Sequence, residues 1–166
     1  MAQVTGAPLS TLLPAGATPP PAGGVTASGS ISPRSFESIL FASENGDEVQ
    51  GWLALPGPES EGPWPTILHT HGGPTSIQMQ SYNPAAQAWL DAGFAWCSVN
   101  YHGSTDFGKD WEQSIYGQLG TLEVQDMAGA HAYLVSRGVS KPDEIFLTGG
   151  SYGGYLTLQG LGVRPE

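Results

Sequence analysis

The chain has 166 residues, the length of one domain of ordinary size, and 39% of them are hydrophobic, which is compatible with a packed core. Fifteen acidic residues against five basic ones give a net charge of −10, which argues against nucleic acid or an anionic membrane as a partner. No apolar run is long enough to span a membrane, the single Cys97 has no disulfide partner, and no Cys/His cluster has zinc spacing. We therefore expect neither a membrane span nor a metal or other cofactor.

The first 33 residues differ in composition from the rest. They contain no charged side chain and are rich in Pro, Gly, Ala, Ser and Thr, so they have little to bury and are predicted to form a disordered tail. A secretory signal is the alternative, but the stretch lacks a basic start, and Pro14 and Gly16 interrupt its only leucine cluster. We therefore expect a cytoplasmic protein with a tail over 1–33 and a folded domain over 34–166.

The folded region alternates between strand and helix patterns. Strands are predicted over residues 36–41, 48–55, 66–70, 94–100 and 145–148. Helices are predicted over residues 82–92 and 121–137, and from residue 152 to 161. Asn45-Gly46 is a strong hairpin signal between the first two strands, whereas the later strands alternate with helices. This order predicts an α/β fold with a mostly parallel sheet that has helices on both faces.

The most specific motif follows the last predicted strand. Gly149 and Gly153 flank Ser151 in the pattern G-x-S-x-G, which is typical of a sharp strand-to-helix turn that presents a serine hydroxyl above the sheet edge. Glycine is needed at both flanking positions because the tight turn brings backbone segments too close together for a Cβ. Ser151 is therefore the predicted catalytic nucleophile. The alternative is a passive serine in a glycine-rich turn.

The stretch His71-Gly72-Gly73-Pro74 follows the third predicted strand, where hydrolases with such an elbow place a loop that supplies one oxyanion-hole amide. The chemistry needs a bare backbone N–H aimed at the developing negative charge, and glycine lets the substrate approach closely. The N–H of Tyr152, just after the nucleophile, is the predicted second donor. The alternative for the first stretch is an ordinary Gly-Gly-Pro turn.

A general base for Ser151 is harder to find. Only fifteen residues follow Ser151, and they contain neither Asp nor His, although hydrolases of this kind usually supply both after the nucleophile. Four histidines are predicted to be structural or to orient their own loops rather than to act as the base: His69, His71, His102 and His131. Three acidic residues of an aromatic loop are predicted to be solvated: Asp106, Asp110 and Glu112.

Several spaced motifs together resemble the catalytic domain of the prolyl oligopeptidase family of serine peptidases, in particular its acylaminoacyl-peptidase and dipeptidyl-aminopeptidase branch. They are residues 71–74, 99–105, 115–126 and 149–155. The resemblance covers about residues 36–166 and implies an α/β-hydrolase fold, Ser151 as nucleophile and the N–H groups of Gly73 and Tyr152 as oxyanion donors. It also implies short peptides as substrates, attack by Ser151 on the peptide carbonyl and hydrolysis of an acyl-enzyme by water.

Three departures from the family pattern limit what the resemblance implies. Family members typically have arginine at the position of His102, and a β-propeller usually precedes their catalytic domain. Their triad Asp and His would lie beyond Glu166, so we expect a hydrolase fold that is truncated after the elbow, and little activity from this chain by itself. Two other functions stay open: a carboxylesterase-like hydrolase, and a non-catalytic binding or assembly fragment. Whatever the function, the truncation is expected to expose a sheet edge through which the chain self-associates.

Overall fold

The computed structural model describes residues 34–165, and the predicted tail over 1–33 lies outside them. The strands are β1 (Glu37–Ala42), β2 (Glu48–Ala54), β3 (Thr66–Thr70), β4 (Ala95–Asn100) and β5 (Ile145–Gly149). The helices are α1 (Pro84–Asp91), α2 (Lys109–Gln113), α3 (Leu122–Ser136) and α4 (Tyr152–Val163), with a short 3-10 helix at Glu59–Glu61. Every predicted strand and helix is present, with ends that differ by no more than two residues, whereas α2 and the 3-10 helix were not predicted.

The five strands form one mixed sheet in the order β1-β2-β4-β3-β5. β1 pairs with β2, and β2 with β4, in the antiparallel sense, whereas β4, β3 and β5 run parallel to one another. The Asn45-Gly46 turn joins β1 to β2 as predicted, and within it the Asp47 N–H donates to Asn45 Oδ1 at 2.9 Å. The sheet is therefore parallel at its centre and at its β5 edge, and antiparallel on the hairpin side.

The helices cover both faces because neighbouring residues of a strand point to opposite sides of the sheet. On one face α3 and α4 pack over a core that includes Leu68 and Leu156. On the other face α1 packs against β4, and Leu90 lies in a second core with Ile67. No helix within residues 34–165 is long and apolar enough to cross a membrane.

Local sequence explains why α1 was predicted and α2 was not. Asn83 Oδ1 accepts hydrogen bonds from the N–H groups of Ala85 and Ala86 at 3.0 and 3.1 Å, and Pro84 takes the first helical position. α2 has five residues, too few to show a helical repeat, and its N-cap Gly108 provides no side chain. Tertiary contacts hold α2 in place. One of them is the hydrogen bond from the Trp111 indole N–H to the Tyr101 carbonyl oxygen at 3.2 Å.

The register of β3 and β5 determines where the candidate site forms. Thr70, the last residue of β3, lies opposite Gly149, the last residue of β5. Because parallel strands end at the same edge of a sheet, the segments that follow them, His71-Gly72 and Gly150-Ser151, emerge side by side. The tertiary fold thus joins the two motifs that the sequence separates by about eighty residues.

Candidate active site

Ser151 occupies the sharp turn between β5 and α4, and it is exposed at the carboxyl edge of the sheet. It has a φ of 55° and a ψ of −122°. A positive φ is uncommon for a residue with a side chain and costs on the order of 1–3 kcal/mol, so neighbouring contacts must maintain it. The N–H groups of Gly153 and Tyr155 close the turn by donating to the carbonyl oxygens of Gly150 and Ser151 at 3.0 and 3.1 Å.

The two glycines of the G-x-S-x-G pattern let the turn pack against the end of β3. A Cβ on Gly153 would overlap the carbonyl oxygen of Thr70 and would lie 2.8 Å from that of His71. A Cβ on Gly149 would overlap the Thr70 hydroxyl oxygen and would lie 2.5 Å from the carbonyl carbon of Gly153. The steric requirement that the sequence predicted at both positions is therefore present.

The loop after β3 lies against Ser151. A Cβ on Gly72 would be 3.4 Å from Ser151 Cβ and 4.0 Å from Ser151 Oγ. Consecutive Cα atoms are about 3.8 Å apart, so the Gly73 Cα lies within roughly 10 Å of Ser151 Oγ. Gly73 is exposed and has a φ of 139°, a conformation that favours glycine. The structure thus brings together the three residues predicted for the site, because Tyr152 directly follows Ser151.

Both ring nitrogens of His71 form hydrogen bonds, one within this loop and one to the loop after β4. Nδ1 is 2.7 Å from the Gly72 carbonyl oxygen, and Nε2 is 2.9 Å from Ser104 Oγ. A carbonyl oxygen can only accept, so the proton sits on Nδ1 and Nε2 accepts from the Ser104 hydroxyl. Burial lowers the pKa of His71, although the bond to Gly72 opposes this shift. These contacts agree with the predicted orienting role.

The other histidines also have partners away from Ser151. Burial and then the neighbouring His71 lower the pKa of His69 to about 4, and its ring lies 4.9 Å from that of Trp96. His131 Nε2 bonds to the Pro142 carbonyl oxygen at 3.0 Å. Among the hydrogen bonds of residues 34–165, none joins a histidine ring to Ser151 Oγ.

His102 forms a buried pair with Asp126, which the sequence did not reveal. Asp126 accepts from the His102 backbone N–H at 2.7 Å and from Nδ1 at 2.8 Å, while Nε2 lies 3.2 Å from Asp47 Oδ2. The imidazole stacks on Trp111, with ring centroids 3.8 Å apart. Burial by itself would lower the pKa of His102, but the bonds to Asp126 and Asp47 outweigh it and raise this pKa. His102 therefore fixes the loop after β4 through its hydrogen bonds to Asp126.

Glu123 is a second buried acid that the sequence interpretation missed. It has no exposed surface, and it accepts hydrogen bonds from the Tyr152 hydroxyl and the Gly120 N–H. The helix dipole favours a carboxylate in the first turn of α3 whether it is exposed or buried, so that position by itself gave no sign of burial. The available signal was spacing: Glu123 lies three residues before Asp126 and four before Met127, so it shares a helix face with both, and Met127 is buried.

The chain is similar in sequence to known proteins. Residues 80–166 match the model of the prolyl oligopeptidase family. Dipeptidyl aminopeptidase BIII from Pseudoxanthomonas mexicana is 34% identical over 135 residues, which cover 77% of this chain and 20% of that protein. Acylamino-acid-releasing enzyme 2 from Oryza sativa subsp. japonica is 36% identical over 102 residues, which cover 61% of this chain and 13% of that protein.

Solved structures show the same similarity in three dimensions. A puromycin-hydrolyzing peptidase of Mycobacterium tuberculosis superposes with a TM-score of 0.74 at 26% identity, over 79% of this chain and 21% of that chain. The chain therefore spans about a fifth or less of the length of these relatives.

Proposed function

Because the chain belongs to the prolyl oligopeptidase family of serine peptidases and has the predicted α/β-hydrolase fold, we propose that it carries the nucleophile side of a peptidase active site, with Ser151 attacking. One observation carries this proposal: Ser151 holds a positive φ at the β5–α4 turn and is exposed beside the Gly72-Gly73 loop. In this proposal residues 34–166 are the first part of the catalytic domain of a cytoplasmic protein.

The proposed reaction begins when Ser151 Oγ bonds to the carbonyl carbon of a short peptide and the carbonyl oxygen becomes an oxyanion. The N–H groups of Gly73 and Tyr152 would donate to this oxyanion, and water would later hydrolyse the acyl-enzyme. The hydroxyl proton of Ser151 must pass to a base and from there to the leaving amine. Since no histidine of residues 34–165 is hydrogen-bonded to Ser151, we expect peptide turnover by the 166-residue chain to be orders of magnitude slower than by a peptidase with a full triad.

The names of the relatives support peptides as the substrate class. One relative is a dipeptidyl aminopeptidase, another releases acylamino acids, and a solved neighbour is a peptidase that hydrolyses puromycin. The elbow geometry would also serve a carboxylesterase, so the ground for choosing between the two is the names of the relatives. We therefore propose short peptides.

Covalent labelling by a fluorophosphonate tests the nucleophile without requiring turnover. Ser151 Oγ would bond to phosphorus, fluoride would leave, and water would take the hydroxyl proton. Because no histidine of residues 34–165 is hydrogen-bonded to Ser151, we expect this labelling to be slow, and the incubation must be long. We expect mass spectrometry to find one adduct, on Ser151, and no adduct in Ser151→Ala. The matched control is Ser136→Ala, an exposed serine of α3, which should label like the wild-type chain. Labelling that survives Ser151→Ala, or a wild-type chain that never labels, would contradict the proposal.

We also propose that two copies of the chain associate through the free edge of β5. Within the described residues β5 pairs only with β3, so its outer N–H and C=O groups have no strand partner. Phe146 on β5 is 37% exposed, and α4 exposes Leu158 and Leu161. A groove of about 330 Å³ with a largely apolar lining lies where α3, α4 and β5 meet. Together, the open edge and this apolar surface support pairing with a second copy.

Gel filtration of the 166-residue chain should therefore show dimers or larger species, and a dye for apolar surface should bind strongly. Phe146→Lys places a charge beside the open edge and should shift the population toward monomer. Leu40→Lys is the matched control, because Leu40 is exposed on β1 at the opposite edge of the sheet. A monomer that melts in one sharp transition and binds no dye would refute this association.

A further inference from the structure

Glu123 is buried at a position where its charge is costly. Oε1 accepts a hydrogen bond from the Tyr152 hydroxyl at 2.5 Å, and Oε2 accepts one from the Gly120 N–H at 3.0 Å. Removal of a carboxylate from water is unfavourable unless it is hydrogen-bonded, and an apolar side chain could fill the same space without that cost. The bond to Tyr152 therefore indicates a role for Glu123 beyond packing.

Tyr152 is the only long side chain in the elbow. Residues 149–154 read Gly-Gly-Ser-Tyr-Gly-Gly, so the backbone around Ser151 has no other large side chain to anchor it. The Tyr152 ring lies 6.4 Å from that of Tyr101 and 5.4 Å from that of Tyr155, and its hydroxyl bonds to Glu123. Glycine-rich backbone relaxes readily, and a strained φ persists only where its surroundings enforce it.

We propose that Glu123 is a positioning residue for the oxyanion hole, an inference that rests on the proposed function. By holding the Tyr152 hydroxyl, Glu123 opposes rotation of the peptide unit between Ser151 and Tyr152. That peptide unit carries the N–H proposed as the second oxyanion donor. Glu123 touches no reacting atom and acts only through Tyr152.

The same helix supports the loop that follows β4. One turn after Glu123, Asp126 accepts from the His102 N–H, and the adjacent Tyr101 hydroxyl donates to the His71 carbonyl oxygen at 2.7 Å. Thus α3 contacts the elbow directly, through Glu123 and Tyr152. It contacts the His71–Pro74 loop indirectly, through the loop after β4 that contains Tyr101. Both proposed oxyanion donors depend on contacts that begin at α3.

Two tyrosines of α4 provide a matched test in the full chain. Tyr152→Phe removes only the hydroxyl bound to Glu123, whereas Tyr155→Phe removes a hydroxyl bound to the Leu119 carbonyl oxygen. Amide hydrogen exchange is measured at Gly153 and Tyr155, whose N–H groups close the elbow turn. We expect exchange at these two amides to rise about tenfold or more in Tyr152→Phe and to stay near the wild-type rate in Tyr155→Phe.

Fluorophosphonate labelling then separates positioning from ordinary stability. The saturating rate of adduct formation should fall about tenfold or more in Tyr152→Phe and Glu123→Ala, while the half-saturating probe concentration stays the same, because the donor acts on charge that develops during reaction. Glu123→Gln keeps an acceptor for the Tyr152 hydroxyl and should recover most of the rate.

Three results would overturn the inference. The first is that amide exchange at Gly153 and Tyr155 is unchanged in Tyr152→Phe. The second is that exchange in Tyr152→Phe rises throughout the whole chain and not at these two amides in particular. The third is that the wild-type chain forms an adduct but the saturating rate of adduct formation is the same in Tyr152→Phe and Glu123→Ala. If the wild-type chain forms no adduct, the proposed function fails, and exchange at the two amides decides the role of Glu123 by itself.

Discussion

Asp126→Ala is expected to lower the free energy of unfolding by about 3–5 kcal/mol, because it breaks a buried, hydrogen-bonded pair and leaves the His102 ring N–H without that acceptor. Asp126 has no exposed surface, and the His102 side chain is 3% exposed. The substitution also removes the acceptor of the His102 backbone N–H. Urea unfolding followed by circular dichroism measures the loss.

Asp110→Ala is the control for this prediction. Asp110 is an exposed acid of α2, and its replacement should change the free energy of unfolding by no more than about 0.5 kcal/mol. Equal losses from the two substitutions would show that the pair of His102 and Asp126 contributes nothing specific.

The same pair predicts a pH dependence of stability. His102 faces Asp126 and Asp47 and stacks on Trp111, and the two carboxylates raise its pKa against the effect of burial. A raised folded-state pKa stabilises the fold fully below the ordinary value of about 6.5, and this contribution is lost as pH rises through the folded-state pKa. The difference in unfolding free energy between the wild-type chain and Asp126→Asn should therefore shrink as pH rises above about 6.5. A difference that is constant across this range would mean that His102 carries no charge in the fold.

Gly153→Ala is expected to destabilise the fold by about 3 kcal/mol or more, beyond the usual cost of overpacking, because the new Cβ meets backbone that cannot move aside. The contacts are the carbonyl oxygens of Thr70 and His71, at the end of β3, which lies between β4 and β5 in the sheet. Relief of the overlap requires α4 to move away from β3, which would displace Ser151 from the Gly72-Gly73 loop. Urea unfolding and fluorophosphonate labelling should both reveal the change.

Gly162→Ala is the matched control in the same helix. A Cβ on Gly162 would meet nothing within 4 Å, and alanine is the better helix former by about 1 kcal/mol. We therefore expect this variant to be as stable as the wild-type chain or slightly more stable. A Gly153→Ala variant that unfolds and labels like Gly162→Ala would show that the elbow tolerates a side chain.

Short-range pattern explains what could be predicted of the fold. Asn45-Gly46, Asn83 and Pro84 act on their immediate neighbours, so a hairpin and a helix start could be located without tertiary information. α2 could not be predicted, because five residues with no side-chain cap form a helix only when the surrounding loop packs around them.

The candidate site was predictable where a motif includes its own geometry. Gly149, Ser151 and Gly153 specify a strained turn by sterics, and Tyr152 is near Ser151 by chain connectivity. The partners of that turn were not predictable. Glu123 and Tyr152 are 29 residues apart, and a carboxylate in the first turn of a helix is far more often exposed than buried.

The sequence by itself determined the five strands, the helices α1, α3 and α4, the presence of a strained Gly-x-Ser-x-Gly turn and the family, because each depends on residues close together along the chain. Only the tertiary structure decided that His71-Gly72 lies against Ser151, that His102 pairs with Asp126 and that Glu123 holds Tyr152. These contacts depend on strand register and on which helix face is buried. Both are outcomes of packing among distant segments, and no local pattern in one segment specifies its distant partner.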